Sequence, residues 1–278
     1  MRFALGVPNV GSFGNPRALV DLAVTAEAAG WDAFFLWDHL LYRDPAWPVV
    51  DPIVVMSAVA ARTERIQLGL MVLALPRRRP EQTAKELATL DQLSGGRLVV
   101  GAGLGSLPRE YDAFGASADP RERADLLDES LEVITGLWSG QPVSFHGQRL
   151  TVDDVQMLPT PAQRPRPRLW CGGRWPARRP FRRAARYDGV MPTHEDFGAG
   201  TTMPPETLSE IVRYVSAHRE TGDPFDVAIE GSTLGATDAG RASDYAAAGA
   251  TWWVEALGWW RGDIDEARAR TTSGPPVG

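Results

Sequence analysis

Three short stretches hold residue types whose spacing could do chemistry. Asp38-His39 sets a carboxylate beside an imidazole. Such a carboxylate can hold the ring, choose its tautomer and tune its proton affinity toward neutrality. The same dipeptide can equally cap a loop, so its position must decide. In "GGRLVVGAGLGS", residues 95–106, an apolar run leads into Gly101, Gly103 and Gly105. A dinucleotide turn needs a strand, G-x-G-x-x-G and then an apolar-faced helix. Here the third glycine falls one position early, and Pro108, Arg109 and Glu110 follow without such a face. Glycines at a strand end have a second use: a ligand can approach bare backbone. In "CGGRWPARRPFRRAARYDG", residues 171–189, Gly172-Gly173 precedes an arginine-rich helix. That pattern suits an anion, with Arg174, Arg178 and Arg179 offering bidentate contacts and Arg182, Arg183 and Arg186 reading as a solvated face.

Other chemistries find less support. His39, His146, His194 and His218 make no ligand-spaced pair, so no metal is expected. There is no G-x-S-x-G elbow, and Cys171, the single thiol, reads as a small packed residue at a strand end. A net charge of -6 argues against a broad nucleic-acid footprint. One cysteine fits a reducing compartment. The N-terminal run MRFALGVPNV lacks the basic and apolar regions of a signal peptide, and no apolar stretch is long enough to cross a bilayer. A cytoplasmic protein, with no membrane or nucleic-acid partner, is expected.

The elements that must position these residues are legible as a rhythm. Apolar runs at Phe3–Val7, Ala33–Trp37, Ile66–Leu73 and Leu98–Val100 alternate with helices opened by Asn15-Pro16, Asp51-Pro52, Pro80 and Asp119-Pro120. Residues 142–158 break the pattern as a β-hairpin around His146-Gly147. Strands resume at Arg168–Cys171, Gly189–Met191, Asp226–Gly231 and Thr251–Glu255, with helices near Ala184, Ile211 and Ala246 and after Arg261. Eight strands and eight helices predict one α/β domain over residues 1–278, a (β/α)8 TIM barrel with a small hairpin inserted after the fourth βα unit. The Gly-rich segment 194–204 is the expected mobile loop.

Barrel chemistry sits where strands end. The strand ends supply Asn9, Asp38-His39, Met71-Val72, Gly103 to Ser106, Gly172 to Arg174, His194, Glu230-Gly231 and Glu255. Ten tryptophans are many for this length. Trp37, Trp47, Trp170, Trp175, Trp253, Trp259 and Trp260 fall at or near these ends, and a cluster at the mouth would suit a flat ring system. Trp37, Trp47, His194, Trp253 and Glu255 are the expected substrate pocket.

Taken together, "AEAAGWDAFFLWDHL" at 26–40, the long stretch 61–105 and "RLWCGGRWPARRPFRRAARYDGVMP" at 168–192 resemble the luciferase-like family of flavin- and deazaflavin-dependent oxidoreductases. The resemblance implies a barrel that binds FMN or coenzyme F420 across its mouth. It implies that Asp38 lies near the ring and that His39 donates or accepts the proton. It implies that Met71-Val72 forms a bulge under the ring, commonly with a cis peptide. Gly103-Leu104-Gly105 would lie at the ring edge, and Gly172-Gly173, with Arg174 and Trp175, would form the phosphate turn. Arg77-Arg78-Arg79 would favour the acidic tail of F420, and the 172–179 loop the compact phosphate of FMN; the balance leans slightly to flavin. Sugar-phosphate dehydrogenases of the family carry a glutamate where this chain has Ser106, which argues against that substrate. The expected activity is oxygenation or hydride exchange with an apolar small molecule, in a homodimer served by a separate flavin or F420 reductase. Two rivals stay open: a non-catalytic barrel that carries or senses a flavin or other ligand, and a cofactor-independent lyase or isomerase using Asp38-His39.

Overall fold

The computed structural model describes residues 1–196, 198 and 200–276. Its strands are β1 (Arg2–Val7), β2 (Ala33–Leu36), β3 (Gln67–Ala74), β4 (Leu98–Gly103), β5 (Val143–His146), β6 (Thr151–Val155), β7 (Arg168–Trp175), β8 (Gly189–His194), β9 (Asp226–Gly231) and β10 (Trp252–Ala256). Its helices are α1 (Pro16–Ala28), α2 (Pro52–Arg62), α3 (Pro80–Leu93), α4 (Arg109–Asp112), α5 (Pro120–Trp138), α6 (Arg179–Ala184), α7 (Pro205–Ser216), α8 (Ala239–Ala247) and α9 (Ile264–Thr272). Eight parallel strands close in the order β1-β10-β9-β8-β7-β4-β3-β2, and β5-β6 form a separate antiparallel pair. This is the (β/α)8 barrel and the hairpin insertion that the rhythm of the chain predicts.

The helix starts follow their caps. Asn15 accepts from the N–H groups of Arg17 and Ala18, Asp51 from Val54, and Asp119 from Arg121 and Glu122; each is followed by proline at the first helical position. Outward residues of β1 to β4 pack with α1, α2, α3 and α5 in one cluster, and those of β7 to β10 pack with α6, α7 and α8 in another.

Inside the barrel, size changes with depth. The lower half is filled by Phe35, Trp170 and Trp252, whose ring centroids lie 5.5–6.0 Å apart. Asp226 accepts from both indole N–H groups and pairs with Arg168. Glycines stand where these rings need room: a Cβ on Gly69 would lie 2.1 Å from the Phe35 ring, and one on Gly189 2.5 Å from Trp170.

Higher up, glycines make room for a bulge instead. The β3–β4 register shifts between Leu70 and Leu73, and the Met71–Val72 peptide is cis. A Cβ on Gly101 would sit 2.5 Å from the Leu70 carbonyl oxygen, one on Gly103 2.3 Å from Val72 Cγ2, and one on Gly172 2.8 Å from Val72 Cγ1. The glycine run at 101–103 is thus strand, and its bare backbone accommodates the neighbouring strand.

The same fact corrects Gly172-Gly173, which the sequence reads as a turn. Both lie within β7, paired with Met191 and Pro192 of β8. Gly172 faces Val72, while a side chain on Gly173 would meet Pro180 and Phe181 of α6. The strand therefore runs on to Trp175. Of the expected mobile loop, Phe197 and Ala199 lie outside the described residues; Gly200 packs against the Trp260 ring.

Gly101→Ala is expected to lower stability by about 1–3 kcal/mol, because the added methyl meets a fixed carbonyl. Gly222→Ala, where a Cβ meets nothing within 4 Å, should stay within about 0.5 kcal/mol of wild type. Urea melts of the two variants check this; equal melts would mean the bulge yields freely.

Candidate active site

His39 follows β2 at the C-terminal end of the barrel and is held from three directions. The buried Asn9 donates its amide to the His39 carbonyl at 3.0 Å and accepts from the His39 N–H at 3.2 Å. The same amide donates to the Val50 carbonyl at 2.7 Å, joining the two loops that follow β1 and β2. The ring is held by Glu110: Nδ1 lies 3.2 Å from Oε1. Glu110 comes from α4, 71 residues along the chain.

This corrects the Asp38-His39 pairing. The Asp38 carboxylate does not hold the imidazole. Its Oδ1 accepts from Arg78 at 3.1 Å, and its Oδ2 lies 2.9 Å from Arg77 and accepts from the Ala74 N–H at 2.9 Å. Adjacent residues at a strand end point to opposite sides, so the carboxylate next in sequence reaches β3 while the ring reaches α4. Arg77 joins the two acids, with Nη1 2.7 Å from Glu110 Oε1. Arg77 and Arg78 are consequently internal counter-charges, and Arg79 pairs with Glu81 on the surface; the expected basic patch for an acidic tail does not form.

Burial alone would raise both carboxyls. For Asp38 it is outweighed by the Arg78 and Arg77 charges; for Glu110 it is outweighed by the His39 hydrogen bond, the Arg77 charge and the Leu40 N–H. Both are held below the usual carboxylate range. Glu110 is then acceptor-only at neutral pH, so His39 Nδ1 carries the proton and Nε2 offers the lone pair.

Aromatic residues wall this site. Trp37 stacks on Trp260 at 5.7 Å, and Tyr42 stacks on Trp47 at 5.6 Å. Trp259 meets Trp37, Tyr42 and Trp47 edge-on at 5.2–6.0 Å, and the His39 ring touches Tyr42 and Trp37. Trp37 and Trp47 thus lie together with His39, joined by Trp259 and Trp260. Trp253, Glu255 and Trp175 do not. Trp253 is fully buried in the outer cluster of β7 to β10 and donates to Glu255. Glu255 is fully buried behind the barrel wall, 2.5 Å from Arg261 and 3.3 Å from Arg270, and accepts from Thr233. Trp175 packs between Phe181 and Tyr214. Strand parity decides all three: they alternate with the inward residues Trp252, Val254 and Gly172.

The arginines of the 171–189 segment are mostly turned away from the mouth. Arg178 lies 3.8 Å over Trp175, Arg179 pairs with Asp125 and Asp128 of α5, and Arg183, read from sequence as solvated, is buried against Asp128 at 2.5 Å. Burial would raise Asp128, but Arg183 and Arg179 hold it below the usual range. Arg174 stays exposed at the rim and donates to the Glu195 carbonyl. His194 ends β8, where its Nδ1 accepts from the Asp196 N–H. Leu104 turns its side chain to the outer core, and its carbonyl accepts from the Tyr111 hydroxyl; Gly105 makes the turn that follows at φ +73°.

Val72, Gly172, Trp37, Glu230 and Ser232 are half-buried, whereas the inward-facing Ala228 and Val254 below them are buried. Packing in the interior thus loosens toward the mouth, where Val72 lies against Gly103 and Gly172. Glu230 Oε1, Ser232 Oγ and Trp260 Nε1 are buried there at the C-terminal end without hydrogen-bond partners. These orphaned polar atoms beside stacked rings fit a flat ligand with polar edges. Sequence reading placed Glu230 at a strand end without choosing it, and it missed Asn9 and Glu110 as the clamp on His39. No local signal marks Glu110, because the pairing is made by barrel closure. Among the described residues no cluster of His, Cys, Asp or Glu could hold a metal, and no helix is long and apolar enough to cross a membrane.

A family model described as luciferase-like monooxygenase matches residues 2–275. An uncharacterised protein of Mycobacterium tuberculosis is 30% identical over 76% of this chain and 75% of its own length. An F420-dependent glucose-6-phosphate dehydrogenase of Nakamurella multipartita is 36% identical over 53% of this chain and 44% of its own length. Among solved structures, a monooxygenase of Streptomyces bottropensis superposes with a TM-score of 0.77, at 22% identity, over 98% of this chain and 97% of that one.

Glu110→Gln is expected to cost about 3 kcal/mol, since it breaks a buried ion pair and the clamp on His39. The sign with pH follows from the lowered acids. Their contribution is complete above the unfolded carboxyl range near pH 4 and is lost as pH falls through the folded values. Urea melts between about pH 3 and 7 should therefore show a shallower acid loss for Glu110→Gln than for wild type; parallel curves would discard the assignment.

Proposed function

The chain belongs to the luciferase-like monooxygenase family, and from that premise we propose that it is a redox enzyme that holds FMN or coenzyme F420 at the barrel mouth and acts on an apolar small molecule. Its relatives include F420-dependent glucose-6-phosphate dehydrogenases, and its structural neighbours include F420-dependent enzymes and an FMN-bound monooxygenase. The observation that carries the reading is the clamped His39, whose Nε2 is the uncommitted ring nitrogen beside an aromatic wall.

The residues present fit such a group. Val72, seated against Gly103 and Gly172, would floor the ring, and Arg174 at the rim would meet the phosphate. When bound, the cofactor supplies the electron chemistry, as hydride exchange for a deazaflavin or oxygen reactivity for reduced flavin. The protein supplies the proton traffic. His39 accepts a proton at Nε2, and the imidazolium so formed is stabilised by Glu110 through Nδ1–H. Asn9 and Glu110 keep the ring in place during both transfers. Trp37, Tyr42, Trp47, Trp259 and Trp260 exclude water and offer stacking surface.

An apolar substrate is favoured over a sugar phosphate. Arg77 and Arg78 are committed to Asp38 and Glu110, Arg179 and Arg183 to α5, and Ser106 stands at the family's glutamate position. The electrostatic basis for preferring either cofactor goes with the same ion pairs, because Arg77–Arg78 and Arg178–Arg179 are both occupied.

Titration of the purified protein with FMN and with F420, followed by absorbance, is expected to give saturable binding of one of them. Binding without turnover on any apolar alcohol, ketone or alkane would favour the carrier reading, and binding of neither would favour the lyase. His39→Asn should keep cofactor affinity and lower turnover by about a hundredfold or more. Near-normal turnover with a lowered melting temperature would leave His39 structural.

A further inference from the structure

The barrel strands carry three carboxylates, and only one lacks a counter-charge. Asp226 pairs with Arg168 and two indole N–H groups, and Glu255 pairs with Arg261 and Arg270. Among the described residues Glu230, on β9, has neither an ion pair nor a hydrogen-bond partner: its Oε1 is buried and unbonded, and so is the hydroxyl of Ser232 two residues on. Glu230 shares the inward parity of Ala228, which packs in the barrel interior with Val254 and Trp252. Across the barrel wall its Oε1 comes within 3.9 Å of where a side chain on Gly6 would begin. A buried carboxyl with nothing to bond is costly unless a ligand completes it.

We propose that Glu230, with Ser232 beside it, is the polar recognition group of the mouth, donating a hydrogen bond to a carbonyl-type acceptor on the buried edge of the ring system held over Val72. The proposal rests on the reading of the mouth as an FMN or F420 site. Both ring systems carry pyrimidinedione carbonyls, so one donor serves either.

Donation requires a proton on the acid, and the surroundings favour its retention. On β10 the titratable side chain, Glu255, faces the opposite side and is bound to arginines. On β1 the facing residue is Gly6. On β8 the inward residues are Gly189, Met191 and Thr193, with His194 next along at the rim. On β9 itself Asp226 lies at the far end, neutralised by Arg168. No charge offsets desolvation, and burial pushes Glu230 up to about 7. At neutral pH the acid is thus poised between a donor and an anion that would repel a carbonyl oxygen.

The test has a ligand-free and a ligand-bound arm. In the protein without cofactor, infrared difference spectra should show a protonated carboxyl stretch near pH 6 that fades by about pH 8 and is missing from Glu230→Gln. Dissociation constants for FMN and F420 should then be measured at both pH values for wild type, Glu230→Gln and Glu230→Leu, with melting temperatures confirming that each folds. Titration of the cofactors themselves is common to all three proteins, so the ratio to the amide variant is the readout. Wild type should weaken about tenfold relative to Glu230→Gln on going from about pH 6 to 8, since an acid of pKa near 7 is about nine-tenths ionised there. Glu230→Leu should bind about tenfold more weakly than wild type at the lower pH. A pH profile in Glu230→Gln identical to wild type, or full affinity in Glu230→Leu, overturns the proposal while leaving the cofactor site standing. Failure of wild type to bind either cofactor overturns the site reading itself.

Discussion

One carboxylate oxygen, Glu110 Oε1, ties together three of the loops at the barrel mouth. It accepts from the Leu40 N–H at 2.6 Å and the Leu41 N–H at 3.2 Å, holds His39 Nδ1, and faces Arg77. The loop after β2, the turn after β3 and the helix after β4 therefore share one buried anion. Arg77 extends the link to Asp38, and Asn9 extends it to the loop after β1. A buried charge of this kind is costly to strip of a partner, so removing one of these groups destabilises the loops that share it. That constraint, more than any property of His39 itself, makes the imidazole a fixed group.

Beneath the clamp, the barrel is filled by a gradient. Large rings occupy the lower half, with glycines opposite them to give room; above, glycines receive the Met71–Val72 bulge. Close packing explains each glycine locally, because a Cβ at Gly69, Gly101, Gly103 or Gly172 would enter space already taken. The consequence for function is indirect. With the lower interior plugged by Phe35, Trp170 and Trp252, the half-buried inward residues, Val72 and Glu230 among them, lie toward the C-terminal face, where barrel enzymes carry their chemistry.

Charge follows the same economy. Several arginines that look free in the chain are neutralised across element boundaries: Arg183 by Asp128, Arg270 and Arg261 by Glu255, Arg78 by Asp38. These pairs fasten helices to each other and to the barrel wall. At the mouth they bind Arg77 and Arg78 to Asp38 and Glu110 beside the aromatic wall, and the proposal of an apolar substrate rests on that pairing.

The sequence by itself determined the architecture. Apolar runs about thirty residues apart, Asn-Pro and Asp-Pro caps and a single hairpin pattern are local signals, and local signals set the order and type of elements. It also determined which residues stand at the strand ends, and Trp37, Trp47 and His39 meet there as expected. What it could not determine was the direction of each side chain and the identity of its partner. Trp253 and Glu255 are at a strand end yet face outward, because parity depends on a register that only closure of the sheet sets. Asp38 looked like the partner of His39 because it is adjacent; Glu110 is the partner because parallel strands bring β2 and the segment after β4 to the same rim. Pairing across 71 residues leaves no periodicity to read, and burial, which turns an ordinary glutamate into an orphaned acid at Glu230, exists only once the barrel has closed around it.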